Sequence, residues 1–443
     1  MTARNTDNSR LRHIFGEMHP YVNAEFTLPC KTRTVIPYDT TAYPREYAKI
    51  FEDPRVIILP STLDRLGDAQ RGLVTVMSSP LECGRVLEAN EDFMIDRKPY
   101  TISIKGVGAT TFGRETWGSS RFLFGYEPLP DGSDIEPITS YPMLYNYGCL
   151  HLKNAVDEHK YEHETVGRLG LNAVRVVACQ EILEMPDNDG VMRPVSELAK
   201  QYGFSDQPIA LLYRLMKTNI RLGDLYLLRE MGYIDEARRV LDHAKYLFAA
   251  HTGASNPSIQ DYFLWLTKTV VEDVLRRILA GDLVTAYKKW FVLSRNITLM
   301  GETLDFETYH AGTVEGMSAH AVSYHLQNEF SVIDPMMYSV FDVINSIYHE
   351  KVDPKAFADV FYDTIMNALV ADYATSKCAR REGPPDYLFA CHIDLMKSAA
   401  FAANNQIHRA VQDEREFCFA LTKRISQEGF KAIPIVPIPG VDR

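Results

Sequence analysis

Apolar and polar positions follow two different rhythms along this chain. Between about residues 55 and 110, short β-type runs (RVIILP, GLVTVM, GRVLEAN and YTISIKGVG) alternate with turn residues. The last run sets Tyr100, Ile102 and Ile104 inward against Thr101, Ser103 and Lys105 and ends in two glycines. That period of two is the pattern of a strand with one apolar face. LNAVRVVACQEIL and IALLYRLM are two further expected strands. Between these groups, LHLKNAVDEHKYEHETVGRLG reads as a helix with Leu152, Ala155 and Val156 on one face and a stop at Gly170. Residues 111–147 hold Gly, Pro and aromatic residues, including PLPDGSD, and read as a long loop or insertion. Residues 1 to about 50, rich in Pro and Tyr, read as irregular.

Beyond about residue 220 the rhythm becomes helical. SIQDYFLWLTKTVVEDVLRRILAGD spaces Leu264, Val271, Leu275 and Ile278 for one helix face and stops at Gly281. DPKAFADVFYDTIMNALVADYA opens with Asp353 as N-cap and Pro354 at the first helical position. KSAAFAANNQIHRAVQ is another expected helix. The pattern predicts an α+β protein with a strand-rich first half and a helical second half. The expected division is an N-terminal extension over 1–54, a first lobe over 55–217 and a helical lobe over 218–443.

Composition narrows the class without changing this picture. With 443 residues, 46% hydrophobic and 24% charged, the chain has ample material for a core. A formal charge of -11 argues against wholesale binding to nucleic acid or an anionic membrane. The polar start, MTARNTDNSRLRHIFGEM, lacks the apolar run of a secretory signal, and no run of about 18 apolar residues suggests a membrane span. The 7 cysteines are scattered with no C-x-x-C pair, which reads as reduced thiols in the cytoplasm.

Several residues then suggest chemistry. Lys105 ends a strand expected to be buried, where an ammonium on rigid backbone suits the phosphates of ATP, although a strand end is also an ordinary place for a surface lysine. VDEHKYEHE offers Asp157, Glu158, Glu162 and Glu164 as partners for it, with Glu158 best placed. Arg214 lies on an expected strand and Arg221 just after it. Each guanidinium there needs an anion, which can be a phosphate or a structural carboxylate. In SRNITLMGETLDFET, Asn296 and Asp305 provide hard oxygen ligands of the kind that hold magnesium together with nucleotide phosphates.

In order and spacing these segments resemble one family, the selenoprotein O proteins. These have a protein-kinase fold, bind ATP in a flipped pose and transfer AMP to protein hydroxyls. IKGVGATTFGR resembles the family's LKGxGxTPxSR, which implies that Lys105, with Gly106 and Gly108, binds phosphate. CGRVLE resembles GDGRxxxLGE and implies a nucleotide contact from Arg85. VDEHKYEHETVGRLGLNAVR is similar, with a one-residue insertion, to IREFLxSEAMxxLGIPTTR, implying Glu158 as the lysine partner. YRLMKTNIRLG resembles RVAPSxIRFG, whose two arginines hold the inverted triphosphate, here Arg214 and Arg221. SRNITLMGETLDFET is similar to NTDNMSILGLTIDYG, implying that Asn296 and Asp305 bind the metal. The resemblance spans roughly residues 80–310 and implies a bilobal protein-kinase-like fold with a nucleotide cleft between the lobes, using ATP and magnesium.

The family's TDN reads SRN in this chain, so Arg295 stands where an aspartate would serve as base. A guanidinium with a pKa above about 12 cannot accept the proton of a hydroxyl. It can hold an anionic acceptor, which needs no base. The expected function is therefore AMP transfer to an acceptor, either a protein hydroxyl or a small-molecule carboxylate. An inactive nucleotide-binding pseudokinase and a conventional small-molecule kinase are the alternatives. Lys105, Glu158 and Arg295 are the expected catalytic residues.

Overall fold

A computed structural model describes residues 23–58, 60–79, 86–89, 93–108, 148–202, 207–279, 296–304, 336–361 and 363–364. They form a mixed α+β protein with an antiparallel sheet, divided into two compact units. The first comprises Met1–His163 and Val174–Ile220, the second Glu164–Ala173 and Arg221–Arg443.

The first unit is built on a 10-stranded sheet. Its strands are β1 (Asn23–Pro29), β2 (Lys31–Ile36), β3 (Arg55–Ile57), β4 (Thr75–Ser79), β5 (Val86–Glu88), β6 (Phe93–Ile95), β7 (Lys98–Lys105), β8 (Arg175–Pro186), β9 (Met192–Pro194) and β10 (Ile209–Met216). The order is β2-β8-β10-β7-β5-β4-β1-β3, with β6 pairing to β7 and β9 to β8. Residues 23–36 do not form the irregular extension expected over 1–54. They run as two consecutive strands broken at Cys30, the first bound to β3 and β4 and the second to β8. One stretch of chain therefore bridges both ends of the sheet, which curls upon itself. Pro29, together with Lys31 and Arg33 on the exposed edge, hides the alternation that would have announced these strands.

Inside the curl lies the main core of this unit, with Val56, Ile57, Leu87, Ile102, Ile104, Leu211 and Tyr213 among its members. The opposite face of β8 and β10 is covered by the helix Leu152–Tyr161, with Leu150, Ala155, Val176, Cys179, Ala210 and Leu212 packed together. This helix buries Ala155, Glu158 and Tyr161. Val156, expected on the apolar face, is instead exposed. The carboxylate of Glu158 takes the inward position for reasons that the site makes clear. The chain then passes through a π-type turn, Glu162–Val166, and stops at Gly170 in the left-handed region.

The second unit contains the helices Leu222–Glu230, Ile234–Thr252 and Ile259–Leu279, with further helical turns over 336–347 and 354–361. Tyr262, Phe263, Leu266, Val270, Val271 and Val274 are buried along Ile259–Leu279. That is a broader apolar face than the expected stripe, from which Leu264 is only half-buried. Phe263, Phe341 and Phe357 pack ring against ring, with Phe341 and Phe357 stacked at 5.0 Å. Asp353 caps the helix that follows it, accepting the Lys355 N–H at 3.1 Å. The expected helix at KSAAFAANNQIHRAVQ, Gly281 and the insertion over 111–147 lie outside the described residues. Among the described residues, no helix is long and apolar enough to cross a membrane.

The end of β7 has a tight backbone requirement. Gly106 follows Lys105 with φ +91°, and a Cβ there would stand 2.2 Å from the Ala210 carbonyl oxygen. Gly106→Ala combines backbone strain of about 1–3 kcal/mol with overpacking of about 1–3 kcal/mol. The expected loss of unfolding free energy is thus about 2–6 kcal/mol. Urea unfolding of the variant beside the parent measures it, and an unchanged midpoint would contradict the close approach.

Candidate functional site

Residues directly opposite one another in an antiparallel pair point to the same face of the sheet. In β7, Ser103 stands opposite Arg214 of β10 and Glu88 of β5, while Lys105 stands opposite Leu212 and Val86. Lys105, Ser103, Arg214 and Glu88 therefore share one face. It is the face on which Leu212 packs with Ala155 of the helix Leu152–Tyr161. Polar positions that the alternation assigns to the outer side of a strand are thus enclosed: Thr101, Ser103 and Lys105 are all buried.

Glu158 reaches down from the helix into this row. Its Oε2 lies 3.3 Å from Lys105 Nζ, and its Oε1 accepts from the Arg214 guanidinium at 3.3 Å. A second Arg214 nitrogen donates to Ser103 Oγ at 3.4 Å. Arg214 and Glu158 are fully buried, and Lys105 is 3% exposed. An isolated charge in such surroundings is strongly disfavoured, and the shared carboxylate offsets that cost for both cations. Lys105 is therefore not a surface lysine at a strand end, and Arg214 has a carboxylate partner. Burial, followed by the negative charge of Glu158, pushes the Cys179 thiol up to about 12, which leaves it inert as a nucleophile. Cys30 is likewise free and buried, and Cys149 is buried.

Beyond Lys105 the chain turns through Gly106 and Gly108, both with positive φ. The turn is tied down on both sides, by Ile57 N–H to the Val107 carbonyl at 2.8 Å and by Gly108 N–H to the Gly148 carbonyl at 3.2 Å.

In the second unit, backbone pairing brings together two segments far apart in sequence. Residues 296–304 form a tight hairpin, with Ile297 bridged to Thr303 and Leu304 N–H donating to the Asn296 carbonyl at 3.0 Å. Gly301 N–H donates to the Thr298 carbonyl at 2.9 Å to close its tip. The Tyr262 hydroxyl donates to the Leu299 carbonyl at 2.7 Å. Arg221 bridges Thr298 from the other side, and Leu222 N–H donates to the Ile297 carbonyl at 3.0 Å. The Arg221 backbone N–H is capped by Asp224 Oδ2 at 2.8 Å. Arg221 and Asn296 thus sit on one small β arrangement, with Asn296 5% exposed at its open end. Glu302, next to Gly301 at the tip, is buried. Its carboxylate lies 3.4 Å from Thr298 Oγ1.

Arg85, Arg295 and Asp305 lie outside the described residues. Among the described residues, no group of three or more His, Cys, Asp or Glu gathers to hold a metal. A magnesium ion shared with nucleotide phosphates needs only one or two protein oxygens. The Asn296 carboxamide and the Asp305 carboxylate are oxygen groups of the chemical kind that such an ion takes.

Ser103 and Glu88 are neighbours of the site that sequence reasoning passed over. Their signal was available as polar residues inside short apolar strands, but only the register shows that they share a row with Arg214. No protein-family model matches the chain, and no curated protein matches it significantly.

Two outcomes follow from this geometry. Glu158→Ala removes a carboxylate from two buried cations, with an expected loss of about 3–5 kcal/mol in unfolding free energy by denaturant titration. Next to Glu158, burial holds the pKa of His159 below its ordinary value, with His163 adding to the effect and Glu162 opposing it. The unfolded chain takes up this proton near pH 6.5 and the folded chain only at lower pH. Stability should therefore fall as pH drops below about 6.5. His159→Gln should make that part of the pH profile shallower, as thermal midpoints between pH 5 and 7.5 will show.

Proposed function

We propose that this protein is an ATP- and magnesium-dependent nucleotidyltransferase of selenoprotein O type, moving AMP from ATP to an acceptor. In this reading the chain has a bilobal, protein-kinase-like fold, with the first unit as the strand-rich lobe and the second as the helical lobe. The observation that carries it is the buried cluster of Lys105, Glu158 and Arg214 beside the Gly106–Gly108 turn. A phosphate-binding lysine needs a rigid strand beneath it and a carboxylate to aim it. Here both are present, and the carboxylate is shared with an arginine from the next strand, which an ordinary kinase site does not require. The free, buried thiols of Cys30 and Cys179 are in keeping with a reducing compartment such as the cytoplasm.

Each residue then has a defined task. Lys105 binds phosphate oxygens, with Glu158 as its positioning residue. Arg214, which Glu158 also holds, and Arg221 would bind the inverted end of the triphosphate, and Arg85 and the glycine turn would contact the nucleotide. Asn296 and Asp305 would hold the magnesium, which would supply charge neutralisation on the phosphates. An acceptor oxygen attacks the α-phosphorus, the bond from that phosphorus to the β-bridging oxygen breaks, and pyrophosphate leaves. A hydroxyl acceptor must lose a proton in this step; a carboxylate has none to lose. Arg295 suits the carboxylate, because a guanidinium attracts it and cannot serve as base. The same Arg295 favours a second reading, an inactive nucleotide-binding protein, since the residue usually acting as base is replaced.

Incubation with α-labelled and, separately, γ-labelled ATP tests the proposal. The purified protein would be offered a cell protein extract and a pool of small carboxylic acids. The α-label is expected to move to an acceptor, with pyrophosphate released. Lys105→Met is expected to slow this about 10–100-fold, the value of one charged hydrogen bond to phosphate. Transfer of the γ-label would establish a conventional kinase instead, and nucleotide binding without transfer of either label would favour the inactive protein.

A further inference from the structure

A second convergence of polar groups lies in the second unit, and it grips backbone. Residues 164–173 follow the Glu158 helix in the chain but belong to this unit. Asp273, on the helix Ile259–Leu279, is buried and accepts the Asn172 backbone N–H through Oδ2 at 2.6 Å. Asn172 in turn holds the hairpin over 296–304 at two points. Its Nδ2 donates to the Met300 carbonyl at 2.8 Å, and its own carbonyl accepts the Thr303 N–H at 3.0 Å. Ala173 extends this as a parallel bridge to Thr303. Arg276, one helical turn beyond Asp273, donates to the Gly170 carbonyl at 3.0 Å and lies 3.7 Å from Asp273.

This arrangement asks more of the chain than packing does. A buried carboxylate carries a desolvation cost, and an apolar residue would fill the same space without it. What the carboxylate adds is a fixed place for one peptide unit, Asn172, and through it for both the tip and the returning strand of the hairpin. That strand ends at Leu304, which pairs with Asn296 and precedes Asp305 in sequence. Metal ligands must be held within about 0.5 Å of their working geometry by the groups behind them.

We propose that Asn172 and Asp273 are positioning residues for a metal-binding hairpin: Asp273 fixes Asn172, and Asn172 fixes the strands that carry Asn296 and lead to Asp305. This rests on the magnesium–nucleotide reading of the site. Neither residue touches the nucleotide or the metal; both act through backbone.

The full chain, Asp273→Asn and Asn172→Ala are compared in two measurements. The first is amide hydrogen exchange. Both variants are expected to exchange the Thr303 and Leu304 amides at least about tenfold faster, with β7 and β10 amides unchanged as evidence that the first unit stays folded. The second is Mn²⁺ affinity in the presence of a non-hydrolysable ATP analogue, read by electron paramagnetic resonance. Loss of a supporting residue should weaken it about 10–100-fold, whereas a merely structural loss would lower the fraction of competent protein and leave the affinity of the remainder unchanged. Unaltered exchange at Thr303 and Leu304, or unaltered affinity in both variants, overturns the inference alone. Absence of nucleotide-dependent Mn²⁺ binding in the parent protein overturns the magnesium–nucleotide reading, and the inference with it.

Discussion

The first unit depends on one carboxylate that answers to two cations. Because Lys105 and Arg214 lie on adjacent strands, a single group above the sheet can reach both, one oxygen for each. This requires the helix to come close. Three residues of the packing between helix and sheet are small: Ala155 on the helix, and Cys179 and Ala210 on the strands below. A larger side chain at any of these places would lift the helix and separate Glu158 from its partners. The charge arrangement and the apolar packing are therefore one constraint, since the ion cluster tolerates burial only while the packing keeps the distances short.

The second unit uses a different device. Arg221, Asn296 and Leu304 are placed by backbone pairing, with Tyr262, Asn172 and Asp224 satisfying individual peptide groups. Side chains carry the geometry in one unit and main chain in the other. Substitutions should accordingly be felt differently: through charge in the sheet, and through local opening in the hairpin.

Much of this was legible in the chain. β7, β8 and β10 appear as apolar runs bounded by turn residues, Gly170 marks where the helical segment stops, and Asp353 with Pro354 opens a helix. What remained hidden has physical causes. A period of two says which side of a strand is apolar, but not that a helix covers the other side, so the burial of Thr101, Ser103 and Lys105 was not visible. That Glu158 reaches Lys105 and Arg214 together was equally invisible, because a sequence holds no distances. β1 and β2 escaped notice because Pro29 interrupts them and β2 is an exposed, charged edge.

Those two strands also set a schedule for the protein's birth. Lys31 in β2 meets Glu184 in β8, 153 positions later in the chain. At ordinary ribosomal speeds of about 5–20 residues per second, roughly 8–30 seconds separate the synthesis of the two. For that interval β2 has an unpaired edge, and the curl of the sheet cannot close. Lys31 and Arg33 lie along that edge, and like charges on neighbouring nascent chains repel one another, discouraging strand pairing between molecules. The same two residues later form ion pairs with Glu184 and Glu181. The charges that end as a seam in the finished sheet thus serve first as a guard on an open one.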